Sequence, residues 1–244
     1  MESVDEIMIP DIITVWPIDT YYPLFVKQMN RDRDLFGRII VVMTPGNPGF
    51  DFTKDVKQEI NNATVISPDI LKLTAGGKDW RNVAVNEGYK LVRSDYVLHL
   101  EQDFIAGENF YKDLIEKGDG LDMVGIKEES RFHPCCLLMN KQAVEKTDKD
   151  YSAHPPEYDH FGKITSQIKS SATLEELGLK DFYHISGLTH NFRIKDVFHR
   201  IDEFYTYLIG SDLLEQPKRW KDFCINKAIE VGKREIVDDI MKFF

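Results

Sequence analysis

The segment HLEQDF runs from an apolar stretch straight into two carboxylates, Glu101 and Asp103. In an extended strand end, side chains two residues apart point to the same side. Two carboxylates so placed can share a hard divalent cation, and Mg2+ or Mn2+ suits oxygen donors of this kind. An ion there would neutralise a diphosphate and stabilise it as a leaving group. A solvated, idle strand terminus would carry the same two residues, so the neighbourhood has to decide. Upstream, Gly76 and Gly77 permit backbone geometry that other residues resist, which suits a close approach to a ligand and a plain turn equally. Arg81 is placed for a diphosphate contact or for an ion pair with Asp79 or Asp95. Asn82 suits a hydrogen bond that fixes a loop backbone.

The elements that must position these residues alternate in type. IITVW at 12–16, RIIVVM at 38–43 and ATVIS at 63–67 are short apolar runs closed by prolines. Between them, Tyr22, Phe25, Val26 and Met29, then Phe52, Val56 and Ile60, recur at helical spacing. A helix over about 79–91 then leads to the strand DYVLHL at 95–100. Strands this apolar are buried on both faces and need helices over them, which predicts a mostly parallel α/β sheet. The chemistry of such sheets sits beyond the carboxyl ends of the strands, where Glu101 and Asp103 fall.

Further along, 108–117 is helical, and LDMVGI, CCLLM and FYHIS read as strands. The polar stretch 147–173, broken by Pro155 and Pro156, reads as a loop or a flap over the site. Val197, Ile201, Phe204, Tyr205 and Leu208 mark one amphipathic helix, and Trp220, Cys224, Ala228 and Val231 mark a C-terminal one.

Composition bounds the function. The 244 residues suffice for one α/β domain, and an apolar fraction of 42% fits a folded chain. With 31 basic and 41 acidic side chains, the net charge of -10 argues against a general nucleic-acid coat protein. The acidic opening MESVDEIMIP lacks the basic-then-apolar order of a secretory signal. No apolar run is long enough to cross a bilayer, so no transmembrane segment is expected and the expected location is cytoplasmic. Cys135, Cys136 and Cys224 have no CxxC or similar spacing and read as small core residues in a reducing compartment.

The stretch GGKDWRNVAVNEGYKLVRSDYVLHLEQDF resembles the family 2 glycosyltransferases and the wider nucleotide-sugar-dependent GT-A enzymes. The likeness rests on a glycine turn (Gly76, Gly77), a helix opening with Arg81-Asn82, an Asp95-Tyr96 strand and an Asp-x-Asp-like end, Glu101-Gln102-Asp103. It covers about 30 residues closely and the first 140 or so loosely. The resemblance implies a GT-A-like, Rossmann-type, mostly parallel α/β sheet flanked by helices, with a C-terminal helical extension. The scarcity of apolar residues over 147–173 favours one domain over two, and the resemblance divides it into 1–104 as a donor half, 105–195 as an acceptor half and 196–244 as C-terminal helices. It also implies a nucleotide-sugar donor, a Mn2+ or Mg2+ cofactor and an acceptor hydroxyl. The acceptor class stays open among a glycan, a lipid-linked intermediate, a protein, a small molecule and a modified nucleic-acid base.

Two departures bear on the donor. Glu101 stands where the family has Asp, and its longer arm can reach a ribose or a metal-bound water instead. Thr44-Pro45-Gly46 stands where many relatives place the Asp residues that hold the nucleoside. Asp19 and Asp69 are the replacements on offer, or else turn residues. The family's late metal-binding His corresponds best to His190, with His184 as runner-up; a loop His bonded to backbone is the alternative. His99, inside a strand, reads as a packed, hydrogen-bonded residue. An inverting transfer needs a general base. Asp159 is the choice and Glu157 the second, although Asp159 also suits a helix cap. A retaining enzyme would need no such base. A nucleotidyltransferase can share the α/β plan but would show a basic glycine-rich loop, and TPGNPGF has no Lys or Arg. A catalytically inactive carbohydrate- or protein-binding domain is the remaining alternative.

Overall fold

The computed structural model describes residues 8–16, 22–44, 60–69, 79–101, 104–128, 131–152 and 160–184, together with Asn226 and Ile229. Its main-sheet strands are β1 (Asp11–Trp16), β2 (Ile39–Met43), β3 (Ala63–Ile66), β4 (Tyr96–Leu100), β6 (Met123–Glu128), β7 (Arg131–Asn140) and β8 (Ser171–Thr173). Their order across the sheet is β3-β2-β1-β4-β7-β6-β8. Every strand runs in one direction except β7, which is antiparallel to both of its neighbours. This is the mostly parallel α/β sheet expected from the apolar runs. A separate antiparallel ribbon joins β5 (Phe104–Ala106) to β9 (Phe182–His184).

Adjacent residues of the central strands feed opposite cores, as strands covered on both faces must. Ile12, Ile39, Val41, Leu98 and Leu100 pack against α1 (Tyr22–Arg31) and α3 (Phe110–Gly118) through Phe25, Met29 and Leu114. Ile13, Ile40, Val42 and Val97 face α2 (Trp80–Tyr89) through Ala84, Val85 and Tyr89. Each fully buried side chain of this size contributes roughly 1.5–3 kcal/mol relative to exposure. Gly88 lets α2 lie close on the sheet: a Cβ there would stand 2.9 Å from Val42 Cγ2 and 3.0 Å from Ile13 Cγ2.

At the amino end of the sheet, Asp11 is buried and its carboxylate accepts from three backbone N–H groups. These belong to Arg38 (2.6 Å), Arg93 (2.7 Å) and Ser94 (3.3 Å). One side chain thereby ties the starts of β1, β2 and β4 together.

In the stretch 147–173, read as a loop or flap with a short helix over Phe161 to Ile168, the helix forms and the rest is less of a loop than expected. The stretch holds α5 (Gly162–Gln167) and β8, and its apolar residues, though widely spaced, reach the core. Tyr151, Phe161, Ile164 and Ile168 are buried in the cluster beneath α2. The short helix α4 (Lys141–Glu145) follows β7, capped by Asn140, whose side chain accepts from Gln142 and Ala143 N–H. Residues 153–159 and the helical stripe 197–208 lie outside the described residues, as does Cys224. Of the C-terminal segment, Asn226 and Ile229 are helical and exposed. No helix among the described residues is long and apolar enough to cross a membrane.

Candidate functional site

The site forms where β4 ends and α2 begins. Asp79 caps α2, its Oδ1 accepting from Arg81 N–H (2.9 Å) and Asn82 N–H (3.1 Å). That cap sets the first turn, from which the Arg81 side chain reaches the end of β4. Its Nη1 lies 3.8 Å from Glu101 Oε1, with side chains only 13% and 21% exposed. Arg81 thus pairs with neither Asp79 nor Asp95 but with the carboxylate of the Glu-x-Asp motif. Its guanidinium also lies 5.3 Å from the Trp80 ring centroid, within cation–π range.

Asn82 has the structural role expected of it. Its Oδ1 accepts from Tyr151 N–H (3.0 Å) and from Asn86 Nδ2 (2.8 Å), and Asn86 in turn donates to the Lys149 carbonyl. The pair pins the 149–151 backbone to α2.

The other wall comes from an irregularity in β7. Its register against β6 jumps from Gly125↔Leu137 to Ile126↔His133, leaving residues 134–136 unpaired on that side. Pro134 has no N–H to give a ladder, and bulges of this kind gather beside active sites. The carbonyls released on the other side are used locally. Pro134 C=O meets His99 Nδ1 at 2.7 Å, and Cys135 C=O accepts from Glu101 N–H at 3.0 Å. The bulge therefore carries His133 and Cys135 to the end of β4. His133 Nδ1 accepts from Cys135 N–H (3.1 Å).

The ribbon closes the third side. Phe104 N–H donates to Glu101 C=O (3.2 Å), so β5 starts directly beside Glu101, and Phe104 pairs with His184 of β9. Gln28 of α1 holds the free edge of β5, donating to Phe104 C=O (3.1 Å) and accepting from Ala106 N–H (2.7 Å). In consequence His184 Nε2 stands 3.6 Å from Glu101 Oε2, and its ring is 4.7 Å from that of His133.

Partial burial alone would raise the Glu101 carboxyl. The His184 ring, the Arg81 guanidinium and His133 outweigh it and hold the group well below the usual carboxylate range. His99 behaves oppositely. Burial is the largest influence and lowers it to about 4, against the opposing pull of Glu101 and the Pro134 carbonyl. It is neutral near pH 7 and packed against Phe161 (ring centroids 4.3 Å apart), as a core histidine should be.

The remaining candidates divide. Asp69 is exposed beyond β3, the edge strand, with β2 and β1 between it and β4. Asp19, Gly76, Gly77, Asp103, Glu157, Asp159 and His190 lie outside the described residues. The residue after Asp159 is His160, whose Nδ1 lies 3.9 Å from Asp79 Oδ1 at the start of α2. The cap of α5 is Phe161, in a left-handed conformation (φ 65°) with no side-chain cap bond, so the helix does not begin on Asp159. Thr44 occupies the position where Asp was missed. It is buried and donates through N–H (3.2 Å) and Oγ1 (3.1 Å) to Trp16 C=O, joining the ends of β1 and β2.

The sequence reading missed the part played by His133 and Cys135. His-x-Cys on one strand was the available signal, but it acquires a partner only through the β5–β9 register, 49 residues from Cys135 to His184.

No family model matches the chain, and no curated protein matches it. Among solved structures it is similar to residues 1–349 of S. aureus TarS, with a TM-score of 0.46 at 14% identity over 68% of this chain and 58% of that one. It is also similar to the galactosyltransferase LgtC, bound to donor and acceptor sugar analogues, with a TM-score of 0.37, 14% identity and coverage of 57% and 60%. A third likeness is to the inositol-1-phosphate CTP transferase of T. maritima, at 0.36, 10% identity and coverage of 80% and 97%. The chain thus spans less than two thirds of the TarS and LgtC chains. Likeness at this level says nothing of function.

Proposed function

We propose that the protein is a metal-dependent glycosyltransferase that moves a sugar from a nucleotide-sugar to an acceptor hydroxyl with inversion. The observation that carries this reading is the pairing of Arg81 with Glu101 at the carboxyl end of β4. That is the end of a parallel sheet where ligands bind. The two residues belong to the segment that resembles nucleotide-sugar enzymes.

The residues present suit a cation. Glu101 is anionic and partly accessible, and Asp103 follows two residues later. Mn2+ or Mg2+ held by Glu101 and Asp103, with His190 or His184 as a further donor, would supply charge neutralisation at the diphosphate. Arg81 contributes a second positive charge that needs no ion. Gly76 and Gly77 give the backbone room to approach the donor, and Asp19 or Asp69 holds the nucleoside. Asp159, or failing it Glu157, takes the acceptor hydroxyl proton. The acceptor oxygen then bonds to the anomeric carbon as the bond to the diphosphate breaks, and that electron pair leaves with the nucleotide. The division into donor, acceptor and C-terminal helical parts at 104 and 195 belongs to this same proposal.

A screen of nucleotide-sugars for Mn2+-dependent binding and slow donor hydrolysis tests the reading. Asp103→Ala is expected to abolish both; a variant that kept both unchanged would refute it. One observation favours a second reading, a domain that binds a sugar nucleotide without turnover: Glu101 already faces two side-chain partners, the Arg81 guanidinium and the His184 imidazole. Binding without hydrolysis or transfer to any acceptor would select that reading.

A further inference from the structure

The groups behind Glu101 include two, His133 and Cys135, that the glycosyltransferase reading does not use, and a third, His184, that it calls on only as the alternative to His190. His133, Cys135 and His184 each present a ligating atom, and these atoms all lie within 4.8 Å of one another. Cys135 is fully buried, while the two imidazoles are partly accessible and form the approach to it. Glu101 adjoins the group, its Oε2 3.6 Å from His184 Nε2. We infer that His133, Cys135 and His184 form a site for a zinc-class transition-metal ion, with Glu101 as the carboxylate beside it.

The geometry is close to what such an ion needs. Zinc–nitrogen and zinc–sulfur bonds of about 2.0 and 2.3 Å in a tetrahedral set separate the donors by roughly 3.3–3.8 Å. The Glu101–His184 spacing already falls in that range, and the wider separations close by rotation of the two imidazoles. The donor types decide the metal: two imidazoles and a thiolate favour zinc or cobalt over Mg2+ and Mn2+. The ion is therefore chemically distinct from the one proposed for Glu101 and Asp103.

Local chemistry agrees on the ligands. Cys135 N–H donates to His133 Nδ1, so that nitrogen carries a lone pair, and ligation exchanges the 3.1 Å hydrogen bond for a metal bond. The Cys135 thiol releases its proton to solvent as the Sγ–metal bond forms. Two ligands come from the β7 bulge and the third from β9, so an ion here would fasten the ribbon to the main sheet. Cys136, next in the chain, is buried and pairs across from Leu100, outside the ligand group.

The test uses the full chain, stripped of metal with a chelator, and zinc or cobalt alone without nucleotide. Competition with a chromogenic chelator should show a single equivalent of zinc per chain and a raised melting temperature. Cobalt should give a thiolate charge-transfer band in the near ultraviolet. Cys135→Ser should remove that band, and His184→Gln should weaken zinc about tenfold or more. Cys136→Ser should change neither. Absence of stoichiometric zinc in the wild-type chain, or a charge-transfer band that survives Cys135→Ser, overturns the site. The wild-type cobalt spectrum decides the matter even if a variant fails to fold. Because no sugar nucleotide is present, a negative result here leaves the glycosyltransferase reading untouched, and the reverse holds as well.

Discussion

Two carboxylates stand at opposite ends of the same sheet, Asp11 at the start of β1 and Glu101 just past the end of β4. Asp11 is 2% exposed and meets three backbone N–H groups, with no cationic side chain needed to hold it. Glu101 is 21% exposed and meets two side chains, the Arg81 guanidinium and the His184 imidazole. Backbone donors are fixed by the fold and leave nothing over for a ligand. Side-chain partners can move aside or share the carboxylate with a cation. The difference separates a carboxylate that builds the sheet from one that the sheet displays.

The largest expected effect tests the first half of that contrast. Asp11→Ala removes the shared acceptor of three part-buried N–H groups, each costing about 1–1.5 kcal/mol, so stability should fall by on the order of 4 kcal/mol. Urea denaturation would show it. A loss under about 1 kcal/mol would mean that Asp11 is no more structural than a surface acid.

A second prediction concerns the neutral His99 behind Glu101. Its folded value is lowered, so protonation favours the unfolded chain. Its contribution is therefore fully present above the unfolded value near 6.5 and is lost as pH falls toward about 4. The loss should reach about 3 kcal/mol relative to His99→Gln, which does not titrate. Parallel pH–stability curves for the two proteins would contradict the buried, neutral assignment.

Gly88→Ala sharpens the account of how α2 is held in place. Its Cβ would press on Val42 and Ile13, and overpacking of this kind costs about 1–3 kcal/mol. Thermal melting should show that loss, and Arg81 should be displaced along with the helix. Smallest in stability is Glu101→Gln, expected to cost about 1 kcal/mol because Arg81 and His184 stand 3.8 and 3.6 Å away, beyond hydrogen-bond distance, and Gln keeps the shape of the side chain. A fall as large as that of Asp11→Ala would erase the contrast.

The sheet and its two cores were legible because Ile12, Ile13 and Ile39–Met43 are apolar at consecutive positions in short runs, rich in β-branched residues and closed by prolines, which fits strands covered on both faces. The region after 147 was not, because Tyr151, Phe161, Ile164 and Ile168 are buried yet too sparse to mark a period. Within the site, Arg81 and Glu101 stood out because both lie in one short segment with recognisable order. His133, Cys135 and His184 did not, because a bulge around Pro134 and a long-range strand pairing bring them together. Neither leaves a local signature.

The most direct measurement is calorimetric titration of a nucleotide-sugar panel, with and without Mn2+, into the wild-type chain and Glu101→Gln. The account predicts Mn2+-dependent binding of at least one donor by the wild-type chain, and its loss in a variant that melts at nearly the same temperature. No binding by the wild-type chain, or binding that Glu101→Gln leaves unchanged, would contradict the placement of the donor at the end of β4.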